Sequence, residues 1–131
     1  MLEFDPNDES AFPHKAITEA IIGSAFEVHN HLGYGFLYRV YQRALEVELT
    51  RRNHRTDWEK RINVHYKDVV VGDYDADLIV DDCVLIEVKI APQYDKRDEA
   101  QLLNVLRATG LKLGILINFG RYKVEHRRLI F

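Results

Sequence analysis

The sequence has 131 residues, a length typical of one domain with a hydrophobic core of its own. Apolar residues make up 47% and charged residues 30%, as in ordinary globular proteins, and the formal net charge of −3 argues against coating nucleic acid by bulk charge. The single cysteine excludes an intramolecular disulfide, the N-terminus is acidic, and no apolar run is long enough to span a membrane, so we expect a cytoplasmic protein.

The first part of the chain predicts two helices. Residues 1–12 are acidic and lack periodicity, which predicts a flexible arm ahead of a single domain over residues 13–131. Apolar residues recur at helical spacing from His14 to about His31 and again from about Phe36 to Asn53. Two glycines in the segment 33–35 separate these helices, because glycine disfavours a continuous helix.

The middle of the chain predicts a β-hairpin around residues 81–82. Two runs rich in Val and Ile flank this pair, as strands do. A three-residue loop, Asp81 to Cys83, gathers apolar side chains on one face, whereas a one-residue shift would place carboxylates among them. The expected pairs are Val80 with Val84, Leu78 with Ile86, Ala76 with Val88, Asp77 with Glu87 and Asp75 with Lys89.

The remaining elements complete an α/β fold. Before the hairpin, Trp58 to Tyr66 reads as a strand, and Val69 to Val71 leads into a break expected at Gly72. After it we expect a third helix, a buried strand and a final strand, over residues 95–109, 111–119 and 124–131. A helix that joins two strands favours a parallel pair, so the predicted order is ααβββαββ, a mixed β-sheet flanked by helices.

The polar residues of the hairpin suit metal-dependent phosphodiester hydrolysis. Facing strand residues have Cβ atoms roughly 5 Å apart, so Asp77 and Glu87 are placed to share Mg²⁺ or Mn²⁺, with the Val88 carbonyl as a further candidate ligand. The metal would polarise the phosphate and lower the pKa of a water, and Lys89 would steady that water and the developing charge. The alternative is a solvated polar face of a half-buried hairpin, because this short pattern recurs by chance.

Three stretches, residues 21–37, 74–89 and 99–120, resemble the GxxExxY family of the PD-(D/E)xK nuclease superfamily. The resemblance implies a restriction-endonuclease-like core and a Mg²⁺- or Mn²⁺-dependent nuclease that acts on DNA or RNA. It further implies that Asp77 and Glu87 are the metal ligands and, with Lys89 and Gln101, the catalytic residues. Gln101 matches the glutamine that lies near the scissile phosphate.

The sequence departs from the family pattern at two positions. Tyr38 stands where the motif has a glutamate, three residues after Gly35, and a phenol is neutral at pH 7 and a poor Mg²⁺ ligand. Val105 replaces the tyrosine that follows the glutamine in related nucleases. These changes and the aromatic segment 34–41 support an alternative: an inactive nuclease-fold scaffold that binds nucleic acid or self-assembles. A homo-oligomer is expected for this chain.

Three further groups of residues have less specific patterns. Glu27, His29 and His31 hint at zinc, but a polar helix face is favoured because no other Cys or His pair has ligand spacing. The arginine pairs at 51–52 and 127–128 fit phosphate contacts, but the negative net charge favours solvated charge runs at least as much. The aromatic residues of segment 34–41 fit base stacking, the core, or a self-association face.

Overall fold

The computed structural model describes residues 13–131, so the arm predicted over residues 1–12 lies outside the described part of the chain. The elements follow the predicted order ααβββαββ. They are α1 (Lys15–Leu32), α2 (Tyr38–Arg51), β1 (Thr56–Tyr66), β2 (Val69–Val80), β3 (Val84–Lys89), α3 (Lys96–Thr109), β4 (Leu113–Asn118) and β5 (Glu125–Ile130). Within residues 13–131 no helix has both the length and the apolar character needed to cross a membrane.

The five strands form one mixed sheet in the order β1-β2-β3-β4-β5. Strands β3 and β4 are parallel, and every other neighbouring pair is antiparallel. Parallel neighbours require a crossover connection, which α3 supplies here. The predicted α/β class and the parallel pairing are therefore confirmed.

Helices cover both faces of the sheet and create two cores. Helices α1 and α2 pack on one face, where Tyr41 and Leu45 meet Ile86 and Ile115; we call this the α1–α2 core. Helix α3 packs on the other face, where Leu102 and Leu106 meet Leu85 and Leu116; we call this the α3 core. Strands β3 and β4 contribute to both cores, which explains their near-continuous apolar sequences.

The hairpin between β2 and β3 has the predicted three-residue loop. Leu78 pairs with Ile86 and Val80 pairs with Val84. Asp81 and Asp82 have φ values of 52° and 56°, left-handed conformations that aspartate tolerates better than most residues. Asp81 Oδ1 accepts a 2.8 Å hydrogen bond from the Arg55 backbone N–H, which ties the loop to the segment after α2.

The break expected at Gly72 is wrong. Strand β2 runs without interruption from Val69 to Val80, and Gly72 pairs with Val64 on β1. The register shifts between Val64 and His65, and His65 pairs with Val70, so Val71 is an extra residue on β2. The glycine therefore accompanies a β-bulge inside a long hairpin and does not end a strand.

The single apolar face expected for the hairpin is interrupted at Asp77. Leu78 packs in the α1–α2 core, whereas Ala76 packs in the α3 core. Residues two positions apart share a face in a regular strand, so β2 changes face at Asp77. Val88 belongs to the α1–α2 core, which makes the expected pairing of Ala76 with Val88 wrong.

Candidate active site

Asp77 is held by three hydrogen bonds at the point where β2 changes face. Its Oδ2 accepts a 2.7 Å hydrogen bond from the Val88 N–H, and its Oδ1 accepts a 2.9 Å hydrogen bond from the Tyr38 hydroxyl. Its backbone carbonyl accepts a 2.9 Å hydrogen bond from Gln42 Nε2. The β2–β3 ladder ends at the Leu78–Ile86 pair. Beyond that point the Asp77 carboxylate accepts the hydrogen bond from β3.

Burial is the main cause of the shifted pKa values of Asp77 and Tyr38. It raises the pKa of the Asp77 carboxyl above its ordinary value, although the hydrogen bonds from Val88 and Tyr38 and the charge of Lys89 lower it. Burial and the hydrogen bond to Asp77 also raise the pKa of Tyr38 above its ordinary value. The phenol therefore stays protonated at neutral pH and donates to the carboxylate.

Glu87 is an acidic side chain almost completely buried in the sheet. It is 5% exposed, and its Oε1 has no hydrogen-bond partner within residues 13–131. Burial raises the pKa of Glu87 to about 7; the charge of Lys89 opposes this rise, and that of Asp98 adds to it. A buried acceptor without a partner is costly, so this oxygen is well suited to receive a cation or a donor.

Lys89 lies within electrostatic range of both acids. Its charge lowers the pKa of Asp77 and that of Glu87. Its Nζ lies 3.7 Å from Oδ1 of Asp98, in the first turn of α3, and both side chains are less than one-third exposed. The expected facing of Asp75 and Lys89 is wrong, because the β2–β3 ladder ends at the Leu78–Ile86 pair. On its other side, Asp75 pairs with Arg61 on β1.

Gln101 lies away from these groups. Its side chain is exposed on α3 and lines a depression with Asp73, Tyr74 and Asn104. Within residues 13–131 no hydrogen bond or ion pair connects it to Asp77 or Glu87. The charge of Lys89 thus acts on both Asp77 and Glu87. Gln101 has no such contact, and its predicted role rests on the family resemblance alone.

Sequence reasoning missed three side chains around the site. Gln42 is buried and lies four residues after Tyr38, so both face Asp77 from one side of α2. Asp98 neighbours Lys89, and Glu59 pairs with Arg39 over 2.8 Å next to Tyr38. The four-residue spacing was a usable signal for Gln42, whereas the other two depend on how α3 and β1 pack.

The donor set fits Mg²⁺ with few protein ligands. Within the described residues no three His, Cys, Asp or Glu side chains lie close enough together to hold a metal ion. Mg²⁺ prefers oxygen, binds through one or two carboxylates and keeps several waters, so a third carboxylate is not required. The orphaned buried oxygen of Glu87 is the observation that supports the fit.

The histidine motif on α1 does not converge on a metal. Glu27 and His31 form an exposed pair at 3.4 Å, whereas His29 is buried. His29 Nε2 donates a 2.7 Å hydrogen bond to the Arg121 carbonyl, and its ring stacks on Phe119. Glu27 and His31 therefore belong to a polar helix face, as the sequence favoured. His29 instead anchors the segment after β4.

Tyr41 belongs to the core and does not serve as a base-stacking residue. It is fully buried, stacks on Phe119 with ring centroids 4.7 Å apart, and donates a 2.6 Å hydrogen bond to the Gly33 carbonyl. Its hydroxyl also accepts a 3.3 Å hydrogen bond from the Phe36 N–H. Tyr41 therefore fixes the α1–α2 connection, which sets the position of Tyr38 at the start of α2.

Comparisons with known proteins agree with this fold. A family model described as the PD-(D/E)XK nuclease superfamily matches residues 15–129. The fold is similar to the crystal structure of SSO0001, with a TM-score of 0.55 and 21% sequence identity. That match covers 93% of this chain and 58% of the other, so the chain spans a little over half the length of that protein. Comparison with functionally curated proteins gives no significant match.

Proposed function

Since the chain belongs to the PD-(D/E)XK nuclease superfamily, we propose that it is a metal-dependent nuclease that hydrolyses phosphodiester bonds in DNA or RNA. The observation that carries this proposal is the buried Glu87 carboxylate. It has an unpartnered oxygen within the described residues, and the charge of Lys89 acts on both Glu87 and Asp77. A buried acid with an unpartnered oxygen destabilises the fold and is rare, so a functional reason is favoured.

Asp77 and Glu87 are the residues that would hold Mg²⁺ or Mn²⁺. The bound metal would supply Lewis-acid polarisation of the phosphate and a water of lowered pKa. Glu87 must be ionised to act as a ligand, and its pKa is raised to about 7. Metal affinity and cleavage should therefore both increase as the pH rises through about 7.

Lys89 would act on the phosphate through its ammonium group. A fixed positive charge in a partly dry site stabilises the negative charge that develops during hydrolysis. Asp98 lies 3.7 Å from Lys89 and restrains the ammonium on the α3 side of the sheet. Gln101 remains a proposed phosphate-orienting residue on the strength of the family resemblance.

Nuclease assays with purified protein test the proposal. Plasmid DNA, single-stranded DNA and RNA are each incubated with Mg²⁺ or Mn²⁺, with EDTA as the metal-free control. We expect metal-dependent cleavage that falls about a hundredfold or more in Glu87→Ala and Lys89→Ala. Asp75→Asn is the matched control, because Asp75 is an exposed acid on β2 paired with Arg61. No cleavage of any substrate, or equal cleavage by the variants, would overturn the proposal.

A second candidate function is a catalytically inactive nuclease fold that binds nucleic acid or assembles into a homo-oligomer. It is favoured by Tyr38, which stands where the GxxExxY pattern has a glutamate and brings a neutral phenol to Asp77 in place of a third carboxylate. Both proposals include membership of the GxxExxY family, because Gly35 and Tyr41 fit its motif. Tyr38 is the departure from that motif. Calorimetry of Mg²⁺ binding to wild type and Asp77→Asn separates the nuclease from the scaffold, and light scattering measures the oligomer size. A defined oligomer that binds no metal supports the scaffold.

A further inference from the structure

Glu59 lies opposite Asp77 at an irregular position of the β1–β2 ladder. Its φ is 51°, a left-handed conformation that glutamate rarely adopts in a strand. Bulges and residues of this kind re-aim side chains and concentrate next to active sites. The regular pairs on either side of this position are Trp58 with Leu78 and Lys60 with Ala76.

The Glu59 carboxylate also lies next to the start of α2. Its Oε1 forms a 2.8 Å ion pair with Nη1 of Arg39, the residue after Tyr38. The neighbouring pairs of the ladder place Glu59 across from Asp77, and its charge raises the pKa of both Tyr38 and Asp77. The Glu59 side chain is 37% exposed, so the fold encloses it only in part.

We propose that Glu59, on β1, supplies the acidic side chain that α2 lacks at Tyr38, and that Arg39 holds Glu59 as a counter-ion until a divalent cation takes its place. This inference rests on the proposed metal-dependent function and adds a ligand to that site. Within residues 13–131 no three acids converge, so the ion pair with Arg39 would have to open before Glu59 could join Asp77 and Glu87.

The charges around the site favour such an exchange. A divalent cation beside two carboxylates attracts a third, and a carboxylate oxygen is a suitable ligand for Mg²⁺ or Mn²⁺. An ion pair between partly exposed side chains is weak, so a divalent cation can displace Arg39, and removal of Arg39 should tighten cation binding by about a few-fold only. Arg39 is then exposed next to the site, where a guanidinium suits a substrate phosphate.

Calorimetry with Mn²⁺ alone tests the inference without any substrate. The variants are Glu59→Gln, Arg39→Ala and the double variant, with thermal melts to verify folding. Asp57→Asn is the matched control, because Asp57 lies two residues away on β1, also pairs with an arginine, and is similarly exposed. Glu59→Asp keeps the charge and gives a second test if Glu59→Gln does not fold.

The two ends of the ion pair should have opposite effects. We expect Glu59→Gln to raise the Kd for Mn²⁺ about tenfold or more, and Glu59→Asp to raise it less. Arg39→Ala should lower the Kd, and this gain should be lost in the double variant if Arg39 acts through Glu59. Asp57→Asn should leave the Kd within about twofold of wild type.

The outcomes separate this inference from the function on which it rests. If wild type binds Mn²⁺ and Glu87→Ala does not, but Glu59→Gln binds as wild type does, only the role of Glu59 is wrong. If Glu59→Gln and Arg39→Ala weaken binding equally, the pair is merely structural and the inference is overturned. If wild type binds no Mn²⁺, the proposed function and the inference both fail.

Discussion

The hydroxyl of Tyr38 donates a 2.9 Å hydrogen bond to Oδ1 of Asp77, the acid proposed as a metal ligand. At the position where the GxxExxY pattern has a glutamate, this chain thus has a phenol that donates a hydrogen bond to the neighbouring carboxylate. Together with the Val88 N–H on Oδ2, this contact gives each oxygen of Asp77 a donor. Each oxygen has further lone pairs, so the contacts orient the carboxylate without preventing it from binding a cation.

Restoring the motif acid should make stability depend on metal. Tyr38→Glu places a further carboxylate beside Asp77 and Glu59, so we expect a lower Tm than wild type in EDTA because like charges repel. Mg²⁺ should recover part of this loss and should raise the Tm more than it does for wild type. Tyr38→Gln is the control, because glutamine has the size and shape of glutamate but carries no charge. Equal Mg²⁺ shifts in Tyr38→Glu and Tyr38→Gln would contradict the prediction.

Glu87→Gln should stabilise the metal-free protein at high pH. The folded-state pKa of Glu87 is about 7, above its ordinary 4.5, so between these values the native state binds more protons than the unfolded state. The free energy of unfolding therefore falls as pH rises from 4.5 to 7, by about 3 kcal/mol at roughly 1.4 kcal/mol per pKa unit. Urea unfolding in EDTA should show the variant more stable than wild type at pH 8 and similar at pH 4.5.

The control for this pH dependence is Glu19→Gln, because Glu19 is an exposed acid on α1. It should follow the wild-type pH profile throughout. A constant difference between Glu87→Gln and wild type from pH 4.5 to 8 would show that Glu87 does not titrate near neutrality.

Gln42→Leu should destabilise the fold and disturb the site together. The buried amide donates to the Asp77 carbonyl at 2.9 Å, and its loss leaves that acceptor without this donor. An unsatisfied buried polar group costs about 1–3 kcal/mol, which chemical denaturation measures. Gln101→Leu, on the exposed face of α3, should change stability by about 0.5 kcal/mol or less. Similar losses in both variants would count against the role given to Gln42.

Gly120→Ala should displace the end of β3. A Cβ at Gly120 would lie 2.3 Å from the backbone carbon of Ile90, the residue after Lys89, and backbone cannot yield as a flexible side chain can. We expect a fall in Tm of several degrees and weaker metal binding, because overpacking costs about 1–3 kcal/mol. Gly72→Ala is the control, since nothing lies within 4 Å of its Cβ. A Tm change no larger than that of the control would disprove the close approach.

Alternating sequence patterns predicted the hairpin because burial penalises the wrong register. The pairs of Leu78 with Ile86 and Val80 with Val84 follow from this, and the helix between two strands gave the parallel pairing. The alternating pattern did not predict the change of face at Asp77 or the role proposed for Glu59. Both depend on irregular strand positions, whereas the pattern assumes regular strands. The contact between Gln42 and Asp77 joins residues 35 positions apart, so it depends on how α2 packs on the sheet.

The change of face at Asp77 places one acid at the junction of two hydrophobic interiors. On its N-terminal side Ala76 packs under α3, and on its C-terminal side Leu78 packs under α1 and α2. The segment that carries this carboxylate therefore has one neighbouring residue in each interior, and changes in the packing of either interior act on it. If Asp77 holds a metal as proposed, directed evolution of a more stable core should alter metal affinity even when every substitution lies far from the acids.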